Sequence, residues 1–204
     1  FYRYLKSHAE KTPNATAIVE GDYKISYKQL CEQVESFASA VSELNLKPKS
    51  KVGLLCLNQK EYLITLFGCF LKGLPVIPYN FLLTPEDLIF ITQDADIDIL
   101  IIDSAFVKSE TTNFFHLFSK IILVGSVEPN KVGEGTQRFE DFLKCGVKEN
   151  AFIKHERESE IPDVILYTSG TTAKPKGVML YEDQFDENCT GFLKHLHITS
   201  HDSA

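Results

Sequence analysis

Tyr27, Leu30, Cys31, Val34, Phe37, Ala38, Val41 and Leu44 recur at three- and four-residue steps, which predicts one helix with a single apolar face. Ser26 precedes it and Gln29 follows three residues on, the pair that makes a capping box. Upstream, the apolar positions 17–19 and 24–25 flank Gly21-Asp22, a hairpin turn. Beyond residue 50 the pattern changes. Residues 52–57 form a continuous apolar run, as expected of a strand buried on both faces. Residues 61–71 are apolar on nearly every side and predict a buried helix, with a short strand at 74–77. Thr84-Pro85-Glu86-Asp87 opens another helix: a threonine cap, proline in the first turn and acids against the dipole. Asp98-Ile99-Leu100-Ile101-Ile102 is a buried strand, 114–118 continue a helix, and Ile121-Ile122-Leu123-Val124 is a further strand. Strands alternating with helices predict an α/β fold, a doubly wound and mostly parallel sheet flanked by helices.

From residue 126 to 163 the composition shifts toward charge, glycine and proline, and the stretch reads as a connector holding one short helix. Residues 164–167 are then a strand, 178–180 its partner, and 182–196 a helix. The chain thus divides into an α/β unit over 1–125, a connector over 126–163, and a strand pair with a following helix over 164–204. Residues 62–83 are apolar enough to raise a membrane span, but Lys72 interrupts them and Gly73, Pro75 and Pro78 would break the helix.

Composition narrows the function classes. The 204 residues carry 28 acids against 21 Lys and Arg, a formal charge of −7, which argues against general binding of nucleic acid or anionic membrane. The five cysteines, Cys31, Cys56, Cys69, Cys145 and Cys189, form no Cys-x-x-Cys and fit no zinc spacing. Such usage suits a reducing, cytoplasmic compartment. The chain opens Phe1-Tyr2 without an initiator methionine, as a trimmed or internal fragment would. His195-x-His197-x-x-x-His201 suits neither one helix face nor a two-histidine metal motif, and reads as a solvated end. Asp94, Asp96, Asp98 and Asp103 surround one strand and read as caps and solvated strand ends.

One segment carries chemistry. Residues 167–178 read Tyr167-Thr168-Ser169-Gly170-Thr171-Thr172-Ala173-Lys174-Pro175-Lys176-Gly177-Val178, directly after an apolar run. The strand–loop–strand pattern predicts an exposed loop over 168–176. Gly170 permits backbone geometry that turns consecutive N–H groups toward one anion. The hydroxyls of Thr168, Ser169, Thr171 and Thr172 add donors, and Lys174 and Lys176 add charge. The pattern is not a Walker A loop, because no glycine precedes the lysine. A plain polar turn would use the same residue types, but it needs only one or two of them, whereas here they are contiguous.

Tyr-Thr-Ser-Gly-Thr-Thr-x-Lys-Pro-Lys-Gly-Val resembles the phosphate loop of the AMP-forming, adenylate-forming enzymes. That family includes acyl-CoA synthetases, nonribosomal peptide adenylation domains and luciferases. Ala173 departs from it, standing where a second glycine is common. Ile25-Ser26-Tyr27-Lys28-Gln29-Leu30, Asn58-Gln59-Lys60-Glu61, 68–80 and Phe139-Glu140-Asp141-Phe142-Leu143 are similar to further family segments in the same order. The resemblance implies part of the large N-terminal domain of the adenylate-forming fold, with 164–204 as the start of a second subdomain. It implies a reaction in which a carboxylate attacks the α-phosphorus of ATP, magnesium pyrophosphate leaves, and a thiol displaces AMP from the acyl adenylate. Thr168, Ser169, Gly170, Thr171, Thr172, Ala173, Lys174, Pro175 and Lys176 would then contact ATP. Lys176 would supply the main catalytic charge, and Thr168 would help hold Mg2+.

Asn80-Phe81-Leu82-Leu83-Thr84-Pro85-Glu86-Asp87-Leu88 looks closer to fatty acyl-CoA synthetases than to amino-acid-activating domains. The implied small-molecule partners are a fatty acid, ATP and CoA as second substrate. The resemblance also admits peripheral association of the parent with a membrane. The family's adenine segment, Thr-Glu pair, ribose-binding aspartate and C-terminal catalytic lysine have no counterpart in these residues. The parent protein is therefore expected to be the enzyme, and this fragment inactive alone. Two rivals stand beside that reading: a fatty acyl-AMP ligase or adenylation domain that loads a carrier protein, and a non-catalytic nucleotide-binding or interaction module.

Overall fold

The structure is a computed structural model that describes residues 2–109, 111–146, 160–168, 174–197, 199 and 202. Helix α1 (Tyr2–Lys11) leads into a hairpin of β1 (Thr16–Glu20) and β2 (Tyr23–Ser26). Helix α2 (Tyr27–Ser42) follows, and its predicted capping box is present: Gln29 N–H donates to Ser26 Oγ, and Ser26 N–H to Gln29 Oε1. Next come β3 (Val52–Leu55), α3 (Lys60–Lys72), β4 (Val76–Pro78), α4 (Pro85–Asp94), β5 (Ile99–Asp103) and β6 (Lys120–Val124). The described chain ends with β7 (Gln137–Arg138), α5 (Phe139–Cys145), β8 (Val164–Thr168), β9 (Lys176–Leu180) and α6 (Glu182–Leu196).

Seven strands form one sheet in the order β7-β6-β5-β3-β4-β8-β9. Every neighbouring pair in it is parallel except β8–β9, which is antiparallel. The predicted α/β class is therefore the observed one. Side chains alternate across the sheet. Val52, Leu54, Val76, Ile99, Ile101 and Ile122 meet α2, α3 and α5 on one face. Leu55, Ile77, Leu100, Ile102 and Leu123 meet α4 and the turn at Phe114 and Phe115 on the other. The sheet is thus doubly wound.

One local expectation needs correction, and two features go beyond the sequence reading. Residues 112–117 form a 3-10 turn, where a helix was expected around 114–118. The polar stretch after 125 holds the one short helix expected of it, α5, and adds to it. It supplies the edge strand β7, and α5 sends Phe139 and Phe142 into the core against Phe37. Two buried phenylalanines outweigh the charged composition around them. Helix α1, which carries only Leu5 into the core, has too narrow an apolar stripe to be legible in the sequence.

Helix α3 is buried on one side and half-buried on the others. Its approach to α2 depends on Gly68. A Cβ there would lie 2.4 Å from Phe37 Cδ1, and Phe37 is fully buried. Gly68→Ala is expected to destabilise the fold by about 1–3 kcal/mol, as overpacking a closed core does. Urea unfolding should show a lower midpoint at unchanged slope. A midpoint equal to wild type would mean that α2 and α3 can separate freely.

Candidate phosphate-binding site

From the first strand of the sheet, β3, the chain passes to β4 on one side, and from β4, by way of α4, it crosses back to β5 on the other. This reversal is a topological switch point, and in open α/β sheets ligands gather beyond the carboxyl ends of strands there. Gln59 and Asp103 bridge that crevice: Gln59 Nε2 donates to Asp103 Oδ2 at 2.8 Å. The buried Asp103 carboxylate also accepts the Ala105 N–H at 2.8 Å. Cys56 lies beside them, and burial, with Asp103 next, pushes its thiol pKa up, so it is no thiolate nucleophile at neutral pH. A cavity of about 180 Å3 opens at the same edge, lined by Leu55, Asn80, Phe81, Leu88, Phe106 and Lys108 among others.

The expected phosphate loop starts from this carboxyl edge, because β8 runs parallel to β4. Its foot is anchored by Asp163. The Asp163 N–H donates to Leu180 O and its carbonyl accepts from Val76 N–H, both at 2.9 Å. Its carboxylate accepts the Glu182 N–H at 2.7 Å and so caps α6. One buried residue thereby ties β4, β8, β9 and α6 together. Nothing in the sequence pattern singled it out beyond an acid just before an apolar run.

Of the nine residues expected to contact nucleotide, Ser169, Gly170, Thr171, Thr172 and Ala173 lie outside the described residues. Thr168 and Lys176 were expected within the loop, but they are the last residue of β8 and the first of β9, paired directly across the hairpin. Direct partners in an antiparallel pair share a face, and both are exposed. No ion pair joins Lys176 to another described residue. A hydroxyl and an ammonium therefore stand side by side at the mouth of the hairpin. This donor set suits phosphate oxygens, and the hydroxyl suits a magnesium ion that keeps most of its other ligands from phosphate and water.

Lys174 is exposed too, but its Nζ lies over the Phe90 ring, 5.0 Å from the centroid. Tyr167 faces the α4 side. Its Oη donates to Asp94 Oδ2 at 2.5 Å, and Asp94 is the exposed last residue of α4. Gly177 lets the Tyr167 ring lie against β9: a Cβ there would be 3.1 Å from Tyr167 Cζ and 3.0 Å from Ile165 Cγ2. Phe90, Asp94 and Gly177 are the contributors that sequence reasoning did not assign. The glycine at the end of Lys-Pro-Lys-Gly was the available signal.

Comparison with known proteins gives this geometry a context. The family described as AMP-binding enzyme matches residues 5–203. Fatty acyl-CoA synthetase B of Dictyostelium discoideum is 31% identical over 172 residues, covering 76% of this chain and 24% of the relative. The 2-succinylbenzoate–CoA ligase of Bacillus cereus is 29% identical over 177 residues, covering 87% of this chain and 32% of the relative. The chain thus spans about a quarter to a third of the length of these relatives. Among solved structures, O-succinylbenzoate coenzyme A synthetase from Bacillus subtilis in complex with ATP and magnesium ion superposes with a TM-score of 0.76. It is 22% identical and the match covers 98% of this chain and 38% of that one, a likeness that shows the fold. Among the described residues no helix is long and apolar enough to cross a membrane.

The anchoring role of Asp163 has a direct consequence. Asp163→Ala is expected to lower stability by about 0.5–2 kcal/mol, the usual effect of deleting an N-terminal helix cap. Amide exchange should speed up through the first turn of α6 and stay unchanged in β5. Equal exchange across α6 in both proteins would show that the helix start does not depend on this carboxylate.

Proposed function

The chain belongs to the AMP-binding enzymes, and from that premise we propose that it is the N-terminal, phosphate-gripping part of an ATP-dependent carboxylic acid–CoA ligase. The reaction joins a carboxylate to the α-phosphorus of ATP with release of pyrophosphate, then passes the acyl group from AMP to the CoA thiol. The acid we infer is a fatty acid. The similarity to a fatty acyl-CoA synthetase at 31% identity supports it, as does the Asn80-Phe81-Leu82-Leu83-Thr84-Pro85 run. We read 164–204 as the start of a second subdomain.

The observation that carries the proposal is the placement of Thr168 and Lys176 side by side at the carboxyl edge of the sheet, either side of the Ser-Gly-Thr-Thr-Ala segment. Thr168, Ser169, Gly170, Thr171 and Thr172 hold the β- and γ-phosphates through hydroxyl and backbone donors. Lys176 meets the pyrophosphate portion. Charge on that portion grows as the α–β bond breaks, so the Lys176 contact strengthens between ground state and transition state and lowers the barrier. Magnesium, held by phosphate oxygens with help from the Thr168 hydroxyl, would offset further phosphate charge. Positive charge at this edge is local, since the chain as a whole carries −7.

In the full-length protein that bears this chain, Lys176→Ala is expected to slow single-turnover adenylation of a fatty acid by about two to three powers of ten at saturating ATP. That corresponds to about 2.7–4 kcal/mol, typical for losing one donor aimed at developing charge. Binding of the acid itself should change little. A solvated surface lysine would leave the single-turnover rate unchanged, and that result would sink the assignment.

A further inference from the structure

Helix α4 presents Phe90 and Asp94 four residues apart, and so on one face. Each meets a different arm of the β8–β9 hairpin. Asp94 takes the hydroxyl of Tyr167, the residue before Thr168. Phe90 lies under the ammonium of Lys174, two residues before Lys176. The helix is itself firmly seated. Thr84 caps it by accepting the Asp87 N–H, and Leu88 and Ile91 are buried. Thr92 Oγ1 is 2.6 Å from Tyr79 Oη in the buried layer beneath. The hairpin, by contrast, turns Leu166, Thr168, Lys176, Val178 and Met179 to solvent.

We propose that α4 is the positioning element of the phosphate-binding hairpin: Asp94 through Tyr167, and Phe90 through Lys174, set where the two strand ends stand. The proposal rests on reading 168–176 as the phosphate-binding segment. It divides the labour between the two lysines. Lys174 anchors one arm through its charge on the aromatic face, an attraction of the ring quadrupole for a cation. Lys176, opposite Thr168, is left to meet phosphate. Asp94 and Phe90 touch no reacting atom and are positioning residues. Burial, and after it the hydrogen bond to Asp94, push the Tyr167 phenol pKa up, so this contact keeps its proton throughout the neutral range. Gly177 belongs to the same device, because it clears the space in which the Tyr167 ring lies.

The test is amide hydrogen exchange on the full-length protein that bears this chain, read over residues 164–168 and 176–180, together with titration by MgATP. The variants are Asp94→Ala, Tyr167→Phe, their double variant, Phe90→Leu and Phe90→Tyr. Phe90→Leu keeps apolar bulk and removes the quadrupole, so hairpin exchange should rise about two- to fivefold, while Phe90→Tyr should match wild type. Asp94→Ala should raise it about tenfold, and the double variant no further, because both changes break one bond. Exchange in β3 and β5 should stay constant, and MgATP affinity should fall in the same rank order. Hairpin exchange unchanged in both Asp94→Ala and Phe90→Leu would overturn the clamp. So would MgATP binding that is insensitive to both. If the exchange results hold but even the wild-type full-length protein takes up no MgATP, the phosphate reading fails rather than the contact, and the positioning role falls with it.

Discussion

Burial of β3 on both faces is the constraint from which the architecture follows. Val52 and Leu54 are fully buried against α2 and α3, and Leu55 packs on the opposite side with α4. A strand covered twice has no solvent face, so helices must cover both sides of the sheet. From β3 the chain passes through α3 to β4 on one side, and from β4 through α4 back across β3 to β5 on the other. That divergence opens a crevice at the carboxyl ends of the strands. The Gln59–Asp103 hydrogen bond, the cavity around Phe81 and Phe106, and the mouth of the β8–β9 hairpin all lie along this one edge.

The hairpin is where the parallel rule breaks. A polar segment between two antiparallel strands brings its ends together, which puts Thr168 beside Lys176 without any long-range contact. Short-range pairing alone does not fix the orientation of such a pair in the molecule. That comes from Asp163 at the foot and from α4 along the flank. The arrangement combines a rigid scaffold with a polar tip, the usual division between elements that hold a site and residues that use it.

Much of the scaffold was legible because its signals are local. The capping box at Ser26 and Gln29, the Thr84-Pro85 helix start and the apolar runs at 52–55 and 99–102 are each explained by neighbours within a few residues. The short helix expected within 126–163 is α5, but its seat in the core was not legible because its stability is non-local: Phe139 and Phe142 are held by Phe37, about a hundred residues earlier, in a stretch whose composition is polar. The site divides the same way. Thr168, Lys174 and Lys176 were found as residue types in a motif. The partners that orient Tyr167 and Lys174 were not, since Asp94 looks in sequence like any acid at a helix end and Phe90 like any core phenylalanine. Parity along the strand decides which face each side chain takes, and only the tertiary packing of α4 decides what that face meets.

The proposed function requires phosphate to be gripped at the carboxyl edge of this sheet by the ends of β8 and β9. Backbone amide chemical shifts of this segment in the labelled full-length protein, followed while magnesium pyrophosphate and then MgATP are added, test that most directly. Saturable shifts confined to the hairpin mouth around Thr168 and Lys176, with smaller ones near Gln59 and Asp103, are the predicted result. No saturable shifts, or shifts concentrated at the opposite edge near Lys51, Pro75 and Asp98, would contradict it.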